Sequence, residues 1–115
     1  MANNGKFGPA SRSVAVFTDT DSETIDDAVD YHKHMVSYLL VGGGVWTITV
    51  EHTPNGGVNW IPLFAPVNVD SSVPSDVIFL DGPFEELRIA AVKSSGSGTL
   101  RTWVKQTDDD PSARR

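Results

Sequence analysis

The sequence predicts an all-β protein: an antiparallel β-sandwich, jelly-roll or immunoglobulin-like, of about seven short strands. Three observations carry this. Turn signals recur at regular intervals, at Gly42-Gly43-Gly44, Pro54-Asn55-Gly56-Gly57, Asp81-Gly82-Pro83 and from Ser94 to Gly98. Glycine and asparagine supply turn conformations that other residues resist, so these clusters punctuate the chain. Between them lie short runs rich in Val, Ile, Thr and aromatics, and within several runs apolar and polar residues alternate, the period of a strand with one buried face.

The elements follow in order. Residues 1–12 are rich in Gly, Asn, Ser and Pro with only Phe7 to anchor them, which predicts an N-terminal arm. Twelve extended residues reach roughly 40 Å. The domain proper is expected over 13–106, opening with a strand at Ser13–Thr18. Next, Ile25, Ala28, Val29, His32, Met35 and Val36 fall at helical spacing, and Thr20-x-x-Glu23 has the form of a capping box. This predicts a short helix or helical turn near Ser22–Tyr31. Strands are then expected at Met35–Val41, Val45–His52, Val58–Leu63, Val77–Leu80, Glu86–Lys93 and Thr99–Lys105. In Val45–His52 the apolar set Trp46, Ile48 and Val50 shares one face, and in Glu86–Lys93 Leu87, Ile89 and Ala91 do. In Thr99–Lys105, Leu100, Thr102 and Val104 take the core side, leaving Arg101, Trp103 and Lys105 outward. Residues 107–115, TDDDPSARR, carry no large apolar side chain and predict a flexible tail.

The stretch HTPNGGVNW, residues 52–60, tests whether the glycines serve a ligand or a turn. Phosphate loops deliver backbone N–H groups at a helix N-terminus, and neither Gly42–Gly44 nor Gly56-Gly57 precedes helical periodicity. The stretch is therefore expected to be a hairpin turn, with Asn55, Gly56 and Gly57 at positive φ and Trp60 closing the core beside it.

Composition excludes several functions. Without cysteine there are no disulfides, thiolate nucleophiles or sulfur-ligated metals. Fifteen acidic against nine basic residues give a net charge of −6, which argues against nucleic-acid binding. No apolar run approaches the roughly 18 residues of a membrane span, and the first dozen residues lack the apolar block of a secretion signal, so a soluble protein is expected. Asp19, Asp21 and Glu23 occupy alternate positions of a calcium-loop pattern, but Thr24 stands where that loop needs glycine. A solvated acidic stretch is the better reading. His32, His34 and His52 have no metal-site spacing. No G-x-S-x-G elbow is present, and the adjacent Glu85 and Glu86 would point to opposite faces of a strand. No enzyme, cofactor or metal is expected.

Trp103 stands apart, flanked on its outward face by Arg101 and Lys105. Such a residue anchors a protein interface or stacks on a sugar.

Taken together, VGGGVWTITVEHTPNGGVNWIPL and VIFLDGPFEELRIAAVKSSGSGTLRTWVKQ resemble small β-sandwich structural proteins of tailed bacteriophages. The likeness covers roughly Met35 to Gln106 and lies in turns and core positions. It implies a virion component assembled in the host cytoplasm, with a capsid decoration (cement) protein the best single expectation and a head or tail accessory protein the neighbouring one. It also implies a homo-oligomer, often a trimer, bound to the major capsid protein and clamping neighbours with terminal arms. On that reading Phe7, Arg12, Arg101, Trp103 and Lys105 are the expected interface residues. The alternative is a carbohydrate- or receptor-binding module of a virion.

Overall fold

The computed structural model describes residues 10–107 of the 115-residue chain, with side chains from Arg12 onward. Among these residues nine strands form: β1 (Ala10–Phe17), β2 (Asp21–Ile25), β3 (Lys33–Val41), β4 (Val45–His52), β5 (Ile61–Pro62), β6 (Val67–Val69), β7 (Ser75–Asp81), β8 (Leu87–Ser95) and β9 (Thr99–Thr107). They build two antiparallel sheets. Sheet A has the order β1-β9-β3-β7, and sheet B the order β2-β8-β4-β5, with β6 also paired to β4.

This order separates the two expected topologies. The first strand pairs with the last, β2 with β8, β3 with β7, and β4 with β6. The chain thus forms one long hairpin, which rolls up so that β9 also meets β3 and β8 also meets β4. A hairpin rolled in this way is a jelly roll.

Packing follows the alternation. Trp46, Ile48, Val50, Leu87, Ile89 and Ala91 from sheet B are buried against Val36, Tyr38, Leu40, Leu100 and Val104 from sheet A. Each large aliphatic side chain so buried contributes about 1.5–3 kcal/mol. The Gly42–Gly44 turn lies against the Gly96–Gly98 turn so closely that a Cβ on Gly96 would overlap the Gly44 backbone. Gly96 also has φ +89°, a second requirement for glycine.

Four expectations need correction. The helix near Ser22–Tyr31 is absent: residues 21–25 form β2, and only a 3-10 turn at Ala28–Asp30 remains. The supposed apolar stripe is not buried as one, since Ile25 and Ala28 are in the core while Val29 and His32 are exposed. Extended backbone wins because β2 supplies hydrogen-bond partners along β8, with Ile25 opposite Leu87. Second, the strand expected at Val58–Leu63 shrinks to Ile61–Pro62, and β4 and β5 are joined by an eight-residue loop, Thr53–Trp60. Third, Gly56 and Gly57 have positive φ but Asn55 does not. Instead the Asn55 side chain organises the loop: its Oδ1 accepts from the Asn59 N–H at 2.8 Å, and its Nδ2 donates to Asn59 Oδ1 at 2.8 Å. Buried Thr53 accepts the Gly57 N–H at 2.7 Å. Fourth, Trp60 is only half-buried and lies outside the core. At the chain ends, β1 starts at Ala10, within the stretch expected to be an arm, and β9 runs on to Thr107. Phe7 and the rest of the expected arm and tail lie outside the described residues.

Candidate functional site

The outer face of sheet A is built from alternate residues of four strands, and the pairing register sets them in rows. One row runs Val14, Trp103, Ser37, Val77. The next runs Arg12, Lys105, Met35, Phe79, and on the other side lie Val16, Arg101, Leu39 and Ser75. With strands about 4.8 Å apart and about 3.4 Å per residue, the platform measures roughly 14 Å by 20 Å.

Its chemistry sets it apart. Of the thirteen large apolar residues exposed among the described residues, seven lie here: Val14, Val16, Leu39, Val41, Val77, Phe79 and Trp103. Phe79 is 75% exposed, the highest value among the aromatic side chains in that group, and Trp103 is 37% exposed. Leaving such surface wet costs about 25 cal/mol per Å² relative to burying it, so a contiguous patch marks a contact surface. Four cations, Arg12, Lys33, Arg101 and Lys105, lie on the same face with one carboxylate, Asp81. Lys33 Nζ reaches Asp81 Oδ1 at 2.9 Å. A positive face on a chain of net charge −6 is a local concentration of charge, suited to steering a negative partner. A groove of about 330 Å³ opens at the β7 side, between Met35, Phe79, Lys105 and the Lys33–Asp81 pair.

Four of the five expected interface residues, Arg12, Arg101, Trp103 and Lys105, meet on this one face. Phe7 lies outside the described residues. The sequence reading missed Phe79, Met35, Val14 and Val16. The signal was present in β7, where Val77 and Phe79 alternate with Ile78 and Leu80. Both faces of that strand are apolar, so one apolar set had to face out.

The acidic stretch leads into and forms the start of β2; Asp19 just before the strand and Asp21 at its start accept hydrogen bonds from the neighbouring Thr20 and Ser22 N–H groups at 2.8 Å. Among the described residues no group of three or more His, Asp or Glu side chains is placed to hold a metal. His34 and His52 instead flank Phe84, with ring centroids at 5.3 and 5.7 Å, while His32 is exposed. Buried His34 belongs to a polar network in the sandwich interior. Its Nδ1 lies 2.7 Å from Gln106 Oε1, and its Nε2 lies 2.7 Å from the Gly82 carbonyl. Gln106 Nε2 in turn donates to Asp27 Oδ1 at 2.7 Å, which fixes the orientation of the Gln106 amide. At the core rim, burial pushes the Tyr38 hydroxyl pKa up, and the Asp76 carboxylate adds to the shift.

The outer face of sheet B is different. Its rows are Thr24, Arg88, Glu51, Pro62 and then Ser22, Ala90, Thr49. The row beyond runs Val92, Thr47, Asn68. Arg88 Nη2 lies 2.9 Å from Glu51 Oε1, and its guanidinium sits 4.4 Å from the Trp60 ring centroid.

Fold and site together define a jelly-roll domain with one apolar, basic outer face. No family model and no curated protein matches the sequence. Solved structures with a similar fold include the nucleoplasmin-like N-terminal domain of Drosophila FKBP39, with a TM-score of 0.56 and 10% identity, covering 88% of this chain and 92% of that one. A protein of Bacillus endospore appendages, described as disulfide-linked pili, gives 0.52 and 19% identity over 93% and 95%. The SPBc2 prophage-derived protein YomS gives 0.52 and 12% identity over 85% and 96%. At these identities the likeness establishes the fold.

Proposed function

We propose that this protein is a structural component of a bacteriophage virion, a capsid decoration protein that docks on the assembled head through the outer face of sheet A. The observation that carries the reading is that face, where Trp103, Phe79 and four valines lie open around half-buried Met35, beside Arg12, Arg101 and Lys105. Exposed aromatics surrounded by arginine are the composition of binding hot spots. The resemblance of the turn and core motifs to phage β-sandwich proteins supports the virion setting, and a prophage-derived protein is among the similar folds. The partner in this reading is the major capsid protein, and the protein contributes contact area without chemistry. A ligand that binds only the assembled shell stabilises it by mass action.

Co-sedimentation with capsids of the virus that encodes the chain tests the proposal. The wild-type protein is expected in the capsid pellet, and Trp103→Ala together with Phe79→Ala is expected to leave it in the supernatant. A wild-type protein that stays in the supernatant would end this reading.

One observation favours a second reading, a carbohydrate platform: Trp103 and Phe79 share a face, and sugars stack on paired aromatics. Quenching of Trp103 fluorescence by saccharides, with no capsid binding, would select it.

A further inference from the structure

A sandwich has open sheet edges, and an open edge is a template for another strand unless something blocks it. Three of the four edges here are blocked. At the β7 edge Asp76 shares the inner face with Tyr38, so an added strand would have to lie against a carboxylate. At β2, Asp21 and Glu23 pair with Ala91 and Ile89 and take the inner side of the edge. The third, beside β4, is blunted by short strands: β5, two residues including Pro62, and β6, three residues.

The β1 edge carries no such block among the described residues. Eight residues pair with β9 without a register shift, and the strand contains neither proline nor glycine. Ser13, Ala15 and Phe17 point inward, while Arg12, Val14 and Val16 point outward; none of the inward three is charged.

We propose that β1 pairs with β1 of a second copy, antiparallel and about a two-fold axis near Ala15, so that sheet A continues through both copies as an eight-stranded sheet. Charge selects a second copy as the occupant. The segment runs from a cation, Arg12, through Val14-Ala15-Val16-Phe17, to a carboxylate, Asp19, just past the strand end. Turned antiparallel on itself, it matches: Val14 of one copy faces Val16 of the other, and Arg12 falls beside Thr18 and Asp19 of the other. The interface is isologous, so each favourable contact occurs twice. The pairing also extends an existing surface, because Val14 lies directly beside Trp103. The dimer presents two copies of the apolar, basic platform on one continuous face, which raises avidity for a repetitive partner such as a shell. One strand pair buries little area, so the dimer dissociates on dilution. The pairing uses the edge of sheet A, whereas capsid docking uses its face, so either can fail alone.

The test is light scattering of the full chain over a concentration series, with hydrogen exchange of residues 10–17. The expected result is a mass of twice 12.4 kDa at high concentration, with β1 amides protected in the dimer and exchanging on dilution. Val14→Lys with Val16→Lys places ammonium groups opposite one another and is expected to yield monomer, whereas Phe79→Lys, on the far strand of the same sheet, keeps the dimer. Arg12→Glu is expected to weaken the dimer roughly ten-fold, and Arg12→Glu with Asp19→Arg to restore it. Four outcomes overturn the proposal: a monomer at every concentration, a monomer whose β1 amides are already protected, a trimer or larger ring, and a dimer that Phe79→Lys abolishes.

Discussion

The two outer faces of the sandwich meet the same solvent with opposite chemistry. Sheet B covers itself with Thr47, Thr49, Ser22, Thr24 and Ala90, and its one large aromatic, Trp60, is paired under Arg88, which is held in turn by Glu51. Sheet A leaves Phe79, Trp103, Val14 and Val16 uncovered, and Arg12, Arg101 and Lys105 stand among them. On sheet B the charged pair Arg88 and Glu51 and the Trp60 ring are satisfied within the chain, and Val92 is the large apolar side chain left open in its outer rows. On sheet A the partners are missing from the described residues, with the Lys33–Asp81 ion pair as the exception at its corner. A folded domain gains nothing for its own stability from the sheet A arrangement, and this difference is what the proposed docking through sheet A rests on.

The largest expected effect removes the frame on which both faces depend. Gly96→Val would drive a side chain into the Gly44 backbone at a positive-φ position, costing about 3 kcal/mol or more. Chemical denaturation should show that loss, and both faces should lose protection in hydrogen exchange together. Next, if sheet A docks on a capsid as proposed, Phe79→Lys should cost about 2 kcal/mol or more of that affinity while unfolding stays within about 0.5 kcal/mol of wild type. If unfolding shifts by several times that amount, Phe79 is part of the fold and the contrast between faces weakens.

Arg88→Ala on sheet B should do the reverse. Loss of the Glu51 ion pair and the Trp60 contact should lower stability by about 1–2 kcal/mol, seen as an earlier thermal midpoint, with capsid affinity unchanged. Reversing a charge on the proposed docking face, Lys105→Glu, should slow capsid association a few-fold and flatten its dependence on salt, measured by stopped-flow or surface kinetics. The smallest effect lies at the seam between faces, where the Asp70–Val73 turn carries the chain from β6 to β7. Asp70 accepts from the Ser72 hydroxyl at 2.6 Å and its N–H at 2.9 Å, and these bonds, with one from the Val73 N–H, hold its carboxyl pKa below the ordinary value. A depressed carboxyl pKa contributes stability above the unfolded value and loses it as pH falls through the folded one. Asp70→Asn should therefore remove a small acid-side decline in the unfolding midpoint.

The strands that carry the core were legible because alternation and burial obey the same period. Trp46, Ile48 and Val50 on β4, and Leu100 and Val104 on β9, are buried as their spacing required. The outward set Arg101, Trp103 and Lys105 was legible for the same reason. β2 was not, since its residues D-S-E-T-I are poor strand formers taken alone. Their extended form comes from the open edge of β8, and no local signal announces a partner more than sixty residues away. The loop at residues 53–60 misled in the other direction, because its Asn-Gly-Gly resembles a tight turn while Thr53 and Asn55 side chains build a longer one.

The candidate site divides along the same line. Sequence alone determined that this is an antiparallel sandwich, where its central strands lie, and that Trp103 faces out between two cations, because a period of two is a local property of strand backbone. Tertiary structure decided that the sandwich is a jelly roll, and that β1, β9, β3 and β7 stand side by side. That order brings Arg12, Met35, Phe79 and Trp103, spread from position 12 to position 103 of the chain, onto one face. Register between distant strands depends on how two sheets bury a shared core, which no short window of sequence contains.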